Sequence, residues 1–559
     1  ANIKPVEPVL PEINPNVSVN VSAPVVTLSG LPGVITVSTP KIDPISFSGL
    51  SLITLPSGVT VTVTPPSPVD KITVSKLEVI TLEIPEKKDI SVEAPKPPEG
   101  FIPTTITPPV KPGAPEVKVP ENFDPPVISF IGGGFSQGSA IGMPKNNIII
   151  QNYDTYKTDA PVVITTGNSG TTWTGGTITV TTSSNGSNYP ATVGTYSLGN
   201  GSTTVPLNAF INELRDHDAD IGGNYVMTDT GGGNNVKIFL SHNPAGVGGI
   251  GGSYDGVDKS GPRTAKFTGT LELRGITVPN NVNILVGVEH QLWNMNCNLG
   301  AYSIFENQGT ITLADGNNII GIMIDTENSP NANGGINKTV NKGKIVINSH
   351  NSIGIDFGQF NQHNLLVDVF VGNIEINGEN NYGLRMKDVF GSSGFGATYF
   401  DKGVTITSGT DLNGSPTKIT VGGKKNVGVS ISKYLSSGKN INPIDNISKL
   451  NIEVTGENVV GFLRNAEYST NNPNDMLLNG TTMGTFSFGA GATNSVLIRS
   501  DKYGIQIDKD ISSESGETGN VFAQATKTGK IINNAVLSST LKSFTGLLAS
   551  GTGDASVEN

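Results

Sequence analysis

The sequence predicts an all-β protein, a right-handed parallel β-helix preceded by an extended strap rich in proline and valine. Three observations carry that expectation. A strand–turn–Gly–strand pattern recurs six times in the second half of the chain, in Ile311–Leu313 to Gly321, Ile345–Ile347 to Gly354, Ile374–Ile376 to Gly383, Ile419–Val421 to Gly428, Ile452–Val454 to Gly461 and Val496–Ile498 to Gly504. Charged residues make up only 15% of the 559 positions, against about a quarter in ordinary soluble domains. Glycine is abundant, at 69 residues. Tandem units of this size cannot bury an apolar face alone and do so by stacking.

Each position of the repeat has a physical reading. The first two apolar residues are two positions apart, so both face one side of a strand. Asn or Asp stands three residues before the Gly in five copies, at Asn318, Asn351, Asn380, Asn458 and Asp501, as suits a tight left-handed corner. The Gly itself implies either a positive φ or a close backbone approach. Apolar residues then return at +1 and usually +3; the fifth copy departs with Arg464, and the sixth slips by one. The Gly positions are separated by 33, 29, 45, 33 and 43 residues. The shorter spacings fit a coil of three short strands, and the longer ones imply loops added at a corner. An antiparallel sandwich built of hairpins is the competing fold.

Three regions follow along the chain. Residues 1–130 hold 24 of the 35 prolines, between strings such as Val17–Val21 and Ile80–Ile84. Proline disrupts a ladder, but this tract is too rich in Val and Ile for a solvated linker, so an extended strap packed along the solenoid is expected. A stiff disordered linker is the alternative. Residues 131–265 form the first coils, with long loops and one short helix, which begins at Pro206 and places Leu207, Phe210, Ile211 and Leu214 on one face. Residues 266–559 form the regular coils, with insertions near 390–402 and 466–480.

Composition narrows the function. A net charge of −11 leaves no basic stripe for nucleic acid. The single cysteine, Cys297, excludes an intrachain disulfide and is expected to face inward on a strand. Stretches of 18 apolar residues, as a membrane helix needs, do not occur. The chain opens Ala1–Asn2–Ile3 and closes Val557–Glu558–Asn559, as expected of a piece of a longer protein.

Catalytic constellations are missing from the sequence. The acidic run Asp216–His217–Asp218–Ala219–Asp220 reads as a solvated turn. Gly248–Gly252 with Asp255 and Asp258 lacks the tandem offsets of a calcium roll. The five histidines stand in separate segments without ligand spacing. An enzyme is therefore not expected, and neither is a cofactor or a metal. Recognition leaves a different trace, in aromatic residues on loops. Trp173, Tyr189, Tyr196, Tyr225 and Tyr254 occupy the loop-rich first coils, Phe395, Tyr399 and Phe400 one insertion, and Tyr468 another. Singly, each is more simply explained by packing on the flank; together they are the candidate contact surface.

The strap opening Ile3–Lys4–Pro5–Val6–Glu7–Pro8–Val9–Leu10–Pro11, with coils reading Gly372–Asn373–Ile374–Glu375–Ile376 through Asn380–Asn381–Tyr382–Gly383–Leu384, resembles the passenger of large fusobacterial type V autotransporter adhesins. The likeness covers most of the chain, with degenerate motifs shared across the family. It implies a cell-surface protein displayed from the bacterial outer membrane through a C-terminal β-barrel that lies outside these residues. It also implies a partner: a galactose-type host glycan, an immune receptor such as TIGIT, or other bacteria. No family binding motif falls on these residues, so no site carries over. A polysaccharide-degrading β-helix enzyme and a stalk whose binding head lies elsewhere are the alternatives.

Overall fold

The computed structural model describes residues 35–37, 61–63, 123–126, 148–151, 155–158, 160–175, 177–182, 192–197, 200–204, 207, 209–213, 218–231, 236–242, 263–278, 284–292, 302–326, 336–360, 366–386, 404–431, 447–465, 476–541, 544–551 and 553–559. The chain divides into a unit of residues 1–109 and a unit of residues 110–559. In the first unit, Ile35–Val37 pairs in parallel with Val61–Val63. All else below concerns the second.

The second unit is all-β, built on long parallel sheets of stacked strands. Successive strands visit three sheets in turn, and each pairs with the strand one circuit later. One circuit, here called a rung, is illustrated by Ile319–Thr326 in the first sheet, Ile336–Asn341 in the second and Lys344–Ile347 in the third. The next strand, Ile353–Phe360, returns to the first sheet beside Ile319–Thr326. The sandwich alternative fails because the rung-to-rung pairings are parallel. Antiparallel pairing occurs in Gly170–Thr174, Thr177–Thr182, Thr192–Ser197 and Gly201–Thr203, which extend the second and third sheets beyond the earliest rung.

The repeat positions become columns through the stack. The first apolar position forms the column Leu271, Ile311, Ile345, Ile374, Ile419, Ile452, and the second Leu273, Leu313, Ile347, Ile376, Val421, Val454. Every one is at most 1% exposed. The apolar residues after the Gly supply the opposing wall through Ile322, Ile355, Leu384, Val429 and Phe462. Fully burying each such side chain contributes roughly 1.5–3 kcal/mol, so these columns are the main source of stability.

The Gly is required by close approach and not by a positive φ. A Cβ on Gly321, Gly354 or Gly383 would lie 2.6 Å from the carbonyl oxygen of the Gly one rung later, and on Gly428 2.5 Å. Gly287 belongs to the same column, a copy that the six-fold pattern missed. The left-handed residue is the one three before: Asn318, Asn351, Asn380 and Asn458 have φ of 60°, 48°, 59° and 52°. Lys425 takes the same conformation at 51°, so the corner imposes it even without Asn.

The sixth copy was read in the wrong register. Val496 and Ile498 align with Val460 and Phe462, the residues that flank Gly461, and not with the strand before the corner. Its left-handed corner is Asn494, and Asp501 is instead a buried partner of Arg499. The expected helix at Pro206 is also corrected. Ala209–Glu213 is a strand of the first sheet, paired with Ile148–Gln151 and Val236–His242, and among the described residues no helix occurs. Ladder pairing on both sides overrides the helical spacing of Phe210 and Ile211.

Beside the left-handed residues Asn351, Asn380, Lys425 and Asn494, the polar side chains of Ser352, Asn381, Asn426 and Ser495 are buried inside the corner. The Ser352 amide donates to Asn381 Oδ1 and the Asn381 amide to Asn426 Oδ1, both at 2.8 Å. Asn381 Nδ2 donates to the Ser349 carbonyl at 2.8 Å. Asn381→Ala should therefore cost about 2–4 kcal/mol, since it orphans a buried donor and a buried acceptor. Gly383→Ala should cost about 1–3 kcal/mol by overpacking. Gly546→Ala, where an added Cβ meets nothing within 4 Å, should change stability by less than about 0.5 kcal/mol. Amide protection of Tyr382–Met386 and Phe544–Ala549 in the three variants checks the order.

Candidate functional site

The three corners of a rung are not equivalent. From the strand Thr310–Asp315 onward the turns between the third and first sheets are short and carry the Asn and Ser ladder. In the earliest rung this corner instead holds the antiparallel strands from Gly170–Thr174 to Gly201–Thr203, between Val162–Gly167 and Ala209–Glu213. Between the second and third sheets the turns are shorter still in most rungs, as at Asn307–Gln308–Gly309–Thr310, where Asn307 Nδ2 donates to Asn341 Oδ1 at 2.8 Å. The corner from the first sheet to the second receives the long excursions. The chain leaves the first sheet at His242, Leu292, Thr326, Met386 and Ile431 and rejoins the second at Arg263, Tyr302, Ile336, Val404 and Ile447. It leaves again at Arg464 and resumes at Met476. These anchors, interrupted only by the shorter crossing from Phe360 to Leu366, line one corner of the stack, so these excursions issue from a single edge.

Later rungs cross the same corner without an excursion. Val496–Ile507 and Asn520–Asn533 are single strands bent there, with a register shift between Ser500 and Lys502 and positive φ at Tyr503 (65°) and Lys527 (51°). Arg464, the exception at +3, is fully buried beneath this bend. Its guanidinium donates to the Gly504 carbonyl and lies 5.4 Å from the Tyr503 ring centre.

A polar pocket of side chains lies inside the same corner at earlier rungs. His242 and His290 are paired residues of adjacent strands and stack with ring centres 5.6 Å apart. His290 Nδ1 lies 2.8 Å from Thr339 Oγ1 and Nε2 lies 2.7 Å from Ser303 Oγ. Burial, reinforced by the neighbouring His242, holds the His290 imidazole well below its ordinary pKa, so it is neutral near pH 7. Both histidines were legible only as isolated residues, because Gly287, which puts His290 at its +3 position, was not counted in the pattern. At the other end of the strand Val236–His242, Lys237 Nζ and Asp229 Oδ1 are 3.9 Å apart and buried. Desolvation lowers the lysine and raises the carboxyl, with mutual attraction opposing both shifts.

The expected aromatic residues divide sharply. Tyr225 is not on a loop: it lies on the strand Asn224–Asp229, is 1% exposed, and packs 4.7 Å from the Phe239 ring centre. Its hydroxyl donates to the Gly222 carbonyl at 2.7 Å, and burial raises its pKa. Tyr225 therefore leaves the candidate surface. Trp173 is likewise on a strand, Gly170–Thr174, half-buried against the core and packed over Gly201. Tyr196 is on the strand Thr192–Ser197, opposite Ile178. Tyr189, Tyr254, Phe395, Tyr399, Phe400 and Tyr468 lie outside the described residues, as does Cys297. Yet the sequence intervals of Tyr254, of Phe395, Tyr399 and Phe400, and of Tyr468 all hang from the first-to-second corner. The topology thus collects five of the nine candidates on one edge.

Charged side chains on the outer face of the third sheet pair across rungs. Lys344 meets Glu375, Arg274 meets Asp315 at 3.0 Å, and Lys418 meets Glu453. Hydrogen bonds from Lys344 and Asn377 hold the Glu375 carboxyl below its usual range. Among the described residues no group of three or more His, Cys, Asp or Glu is placed to hold a metal. Comparison with protein-family models, with curated proteins and with solved structures gave no match.

The buried His290 makes a pH prediction. Its folded pKa lies below the unfolded value of about 6.5, so the unfolded chain binds more protons between the two. Stability contributed by these rungs is full above about pH 6.5 and falls as the pH drops below it. Amide protection of Ile284–Leu292, corrected for intrinsic exchange, should decline from pH 7.5 to pH 5. His290→Gln should flatten that dependence.

Proposed function

We propose that this chain is the surface-displayed passenger of a bacterial adhesin, a right-handed parallel β-helix that presents recognition loops along one edge. The observation that carries the proposal is the placement of the long excursions on the first-to-second corner of successive rungs. From His242 to Met476 a rigid stack that spends most of its extra residues on one edge concentrates contacts there, where many weak loop contacts act together. The resemblance of the strap and coils to fusobacterial type V autotransporter passengers supports display from the outer membrane. It also names the partner classes: a galactose-type glycan, a receptor such as TIGIT, or other bacteria.

A stalk is the second reading, and the bent strands Val496–Ile507 and Asn520–Asn533 favour it for the later rungs, where the edge carries no excursion. The two readings divide the chain between presentation by the rungs before Met476 and extension by those after it.

Replacing 387–403 and 243–262 with short Gly-Ser turns tests the assignment. Binding to host cells, partner bacteria or a glycan array should fall at least about tenfold, as expected for loss of an interface centre worth more than 1.4 kcal/mol. The far-ultraviolet dichroism should remain that of a β protein. Unchanged binding by the doubly replaced chain would refute presentation on this edge and leave the stalk. Turnover of a polysaccharide by the unaltered chain would instead establish the enzyme.

A further inference from the structure

The outer face of the first sheet is unlike an ordinary solvated face. Ile320, Ile353, Tyr382, Val427, Val460 and Val496 form a column that points away from the core, yet none is more than 4% exposed. They belong to an apolar cluster separate from the interior one. The neighbouring outward column holds buried charge. Arg385 makes a two-pronged pair with Asp356 at 2.9 and 2.8 Å, and Arg499 pairs with Asp501 at 2.6 Å.

Four residues from the proline-rich region lie on this face. Phe123 packs against the outer apolar cluster, with the Arg499 guanidinium 5.5 Å from its ring centre. The Phe123 carbonyl accepts from Arg499 Nη1 at 2.8 Å, and the Pro126 carbonyl accepts from the Tyr382 hydroxyl at 2.7 Å. Asp124 pairs with Lys527 at 3.0 Å, and the hydrogen bond from that lysine lowers the Asp124 pKa. The partners come from sequence positions as far apart as 256 and 376 residues.

Chemistry explains why this segment is proline-rich. A sheet's face, unlike its edge, has no free carbonyls, because the ladder uses them. A peptide laid on the face leaves its own N–H groups without partners. Pro125 and Pro126 have no N–H to leave unsatisfied, and the carbonyls of Phe123 and Pro126 take donors from Arg499 and Tyr382. A proline- and valine-rich composition is therefore suited to lying on a face, just as it is unsuited to joining a ladder.

We propose that the outer face of the first sheet is a docking surface for Phe123–Pro126 of this chain. Phe123–Pro126 acts as a latch across the rungs of Tyr382, Arg499 and Lys527, and it closes only once those rungs have stacked. No single rung contains the site; it is complete only when strands from Tyr382–Met386 to Asn520–Asn533 are in register.

A zero-length carbodiimide crosslinker applied to the full chain tests the latch. The Lys424–Glu457 pair, at 2.8 Å, serves as an internal positive control. Mass spectrometry should find Asp124 joined to Lys527 within one chain. Lys527→Arg should abolish that link while leaving the control link intact. In Tyr382→Phe, which retains the ring and loses only the hydroxyl, amide protection of Val496–Ile507 should fall roughly threefold to tenfold, with Val236–His242 unchanged. Absence of the 124–527 link when the control forms would overturn the latch. A crosslinked dimer would place the segment on a second copy and overturn the assignment within one chain. Unaltered protection in Tyr382→Phe would refute its role in holding the rungs.

Discussion

Everything in this stack depends on rungs lying at ladder distance, which leaves no room for a Cβ where two backbones bend past each other. At Gly321, Gly354, Gly383 and Gly428 the next rung's carbonyl already occupies that position. The column ends at Leu497, whose carbonyl is the last to face a Gly, Gly461. From the rung containing Leu497 onward the strands lengthen and the first-to-second corner closes. The glycine column and the loop-bearing edge overlap from Gly287 to Gly461, while the excursion after His242 leaves a strand with Phe239 at the glycine position.

Corner chemistry biases which edge varies. The third-to-first corner has an internal ladder of Ser352, Asn381 and Asn426 that satisfies buried amides of neighbouring rungs, so an added residue there would break several hydrogen bonds at once. The second-to-third corner is fixed by Asn307 and Asn341. The remaining corner is held mainly by side-chain packing, by His290 with its two hydroxyl partners, and later by Arg464. Where the polar ladders are formed the connections stay short. The earliest rung, which precedes the Ser352–Asn381–Asn426 ladder, places the strands from Gly170–Thr174 to Gly201–Thr203 on the third-to-first corner, and Ser408–Lys418 lengthens one second-to-third corner. The polar ladders thus bias most of the variable loops toward the first-to-second corner.

Much of the fold was legible because each repeat position answers to one physical demand. Apolar alternation at Ile345 and Ile347 gave the wall, Asn351 the left-handed corner, and Gly354 the close approach. The errors share a cause: short-range signals were read without knowing the neighbouring rung. Pro206 and the spacing of Phe210 and Ile211 imitate a helix start, but strands on both sides recruit Ala209–Glu213. Asp501 imitates a corner residue three before Gly504, while Asn494 holds the corner. Tyr225 imitates a loop aromatic because Gly222, Gly223 and Asn224 precede it, yet its column partners are Val162 and Leu271, and it is core. The His242–His290 stack was invisible for the same reason: one rung, and not a fixed spacing, relates them.

Proline placement ties these threads together. Inside the three sheets a proline would cost a ladder hydrogen bond, and the tract before residue 130 holds most of the chain's prolines. On the outer face of the first sheet the same residue removes a donor that would have no acceptor. Phe123–Pro126 meets that face through two carbonyls, one ring and one carboxylate, each with a partner from a different part of the stack. Buried Arg499 is held in place by Asp501, which also accepts from Thr526 at 2.7 Å, so the donor offered to the Phe123 carbonyl is positioned by the two rungs it bridges. A segment recognised in this way reads the register of the stack and not the sequence of any one strand. Phe123–Pro126 is thereby matched to a surface that only stacked rungs provide.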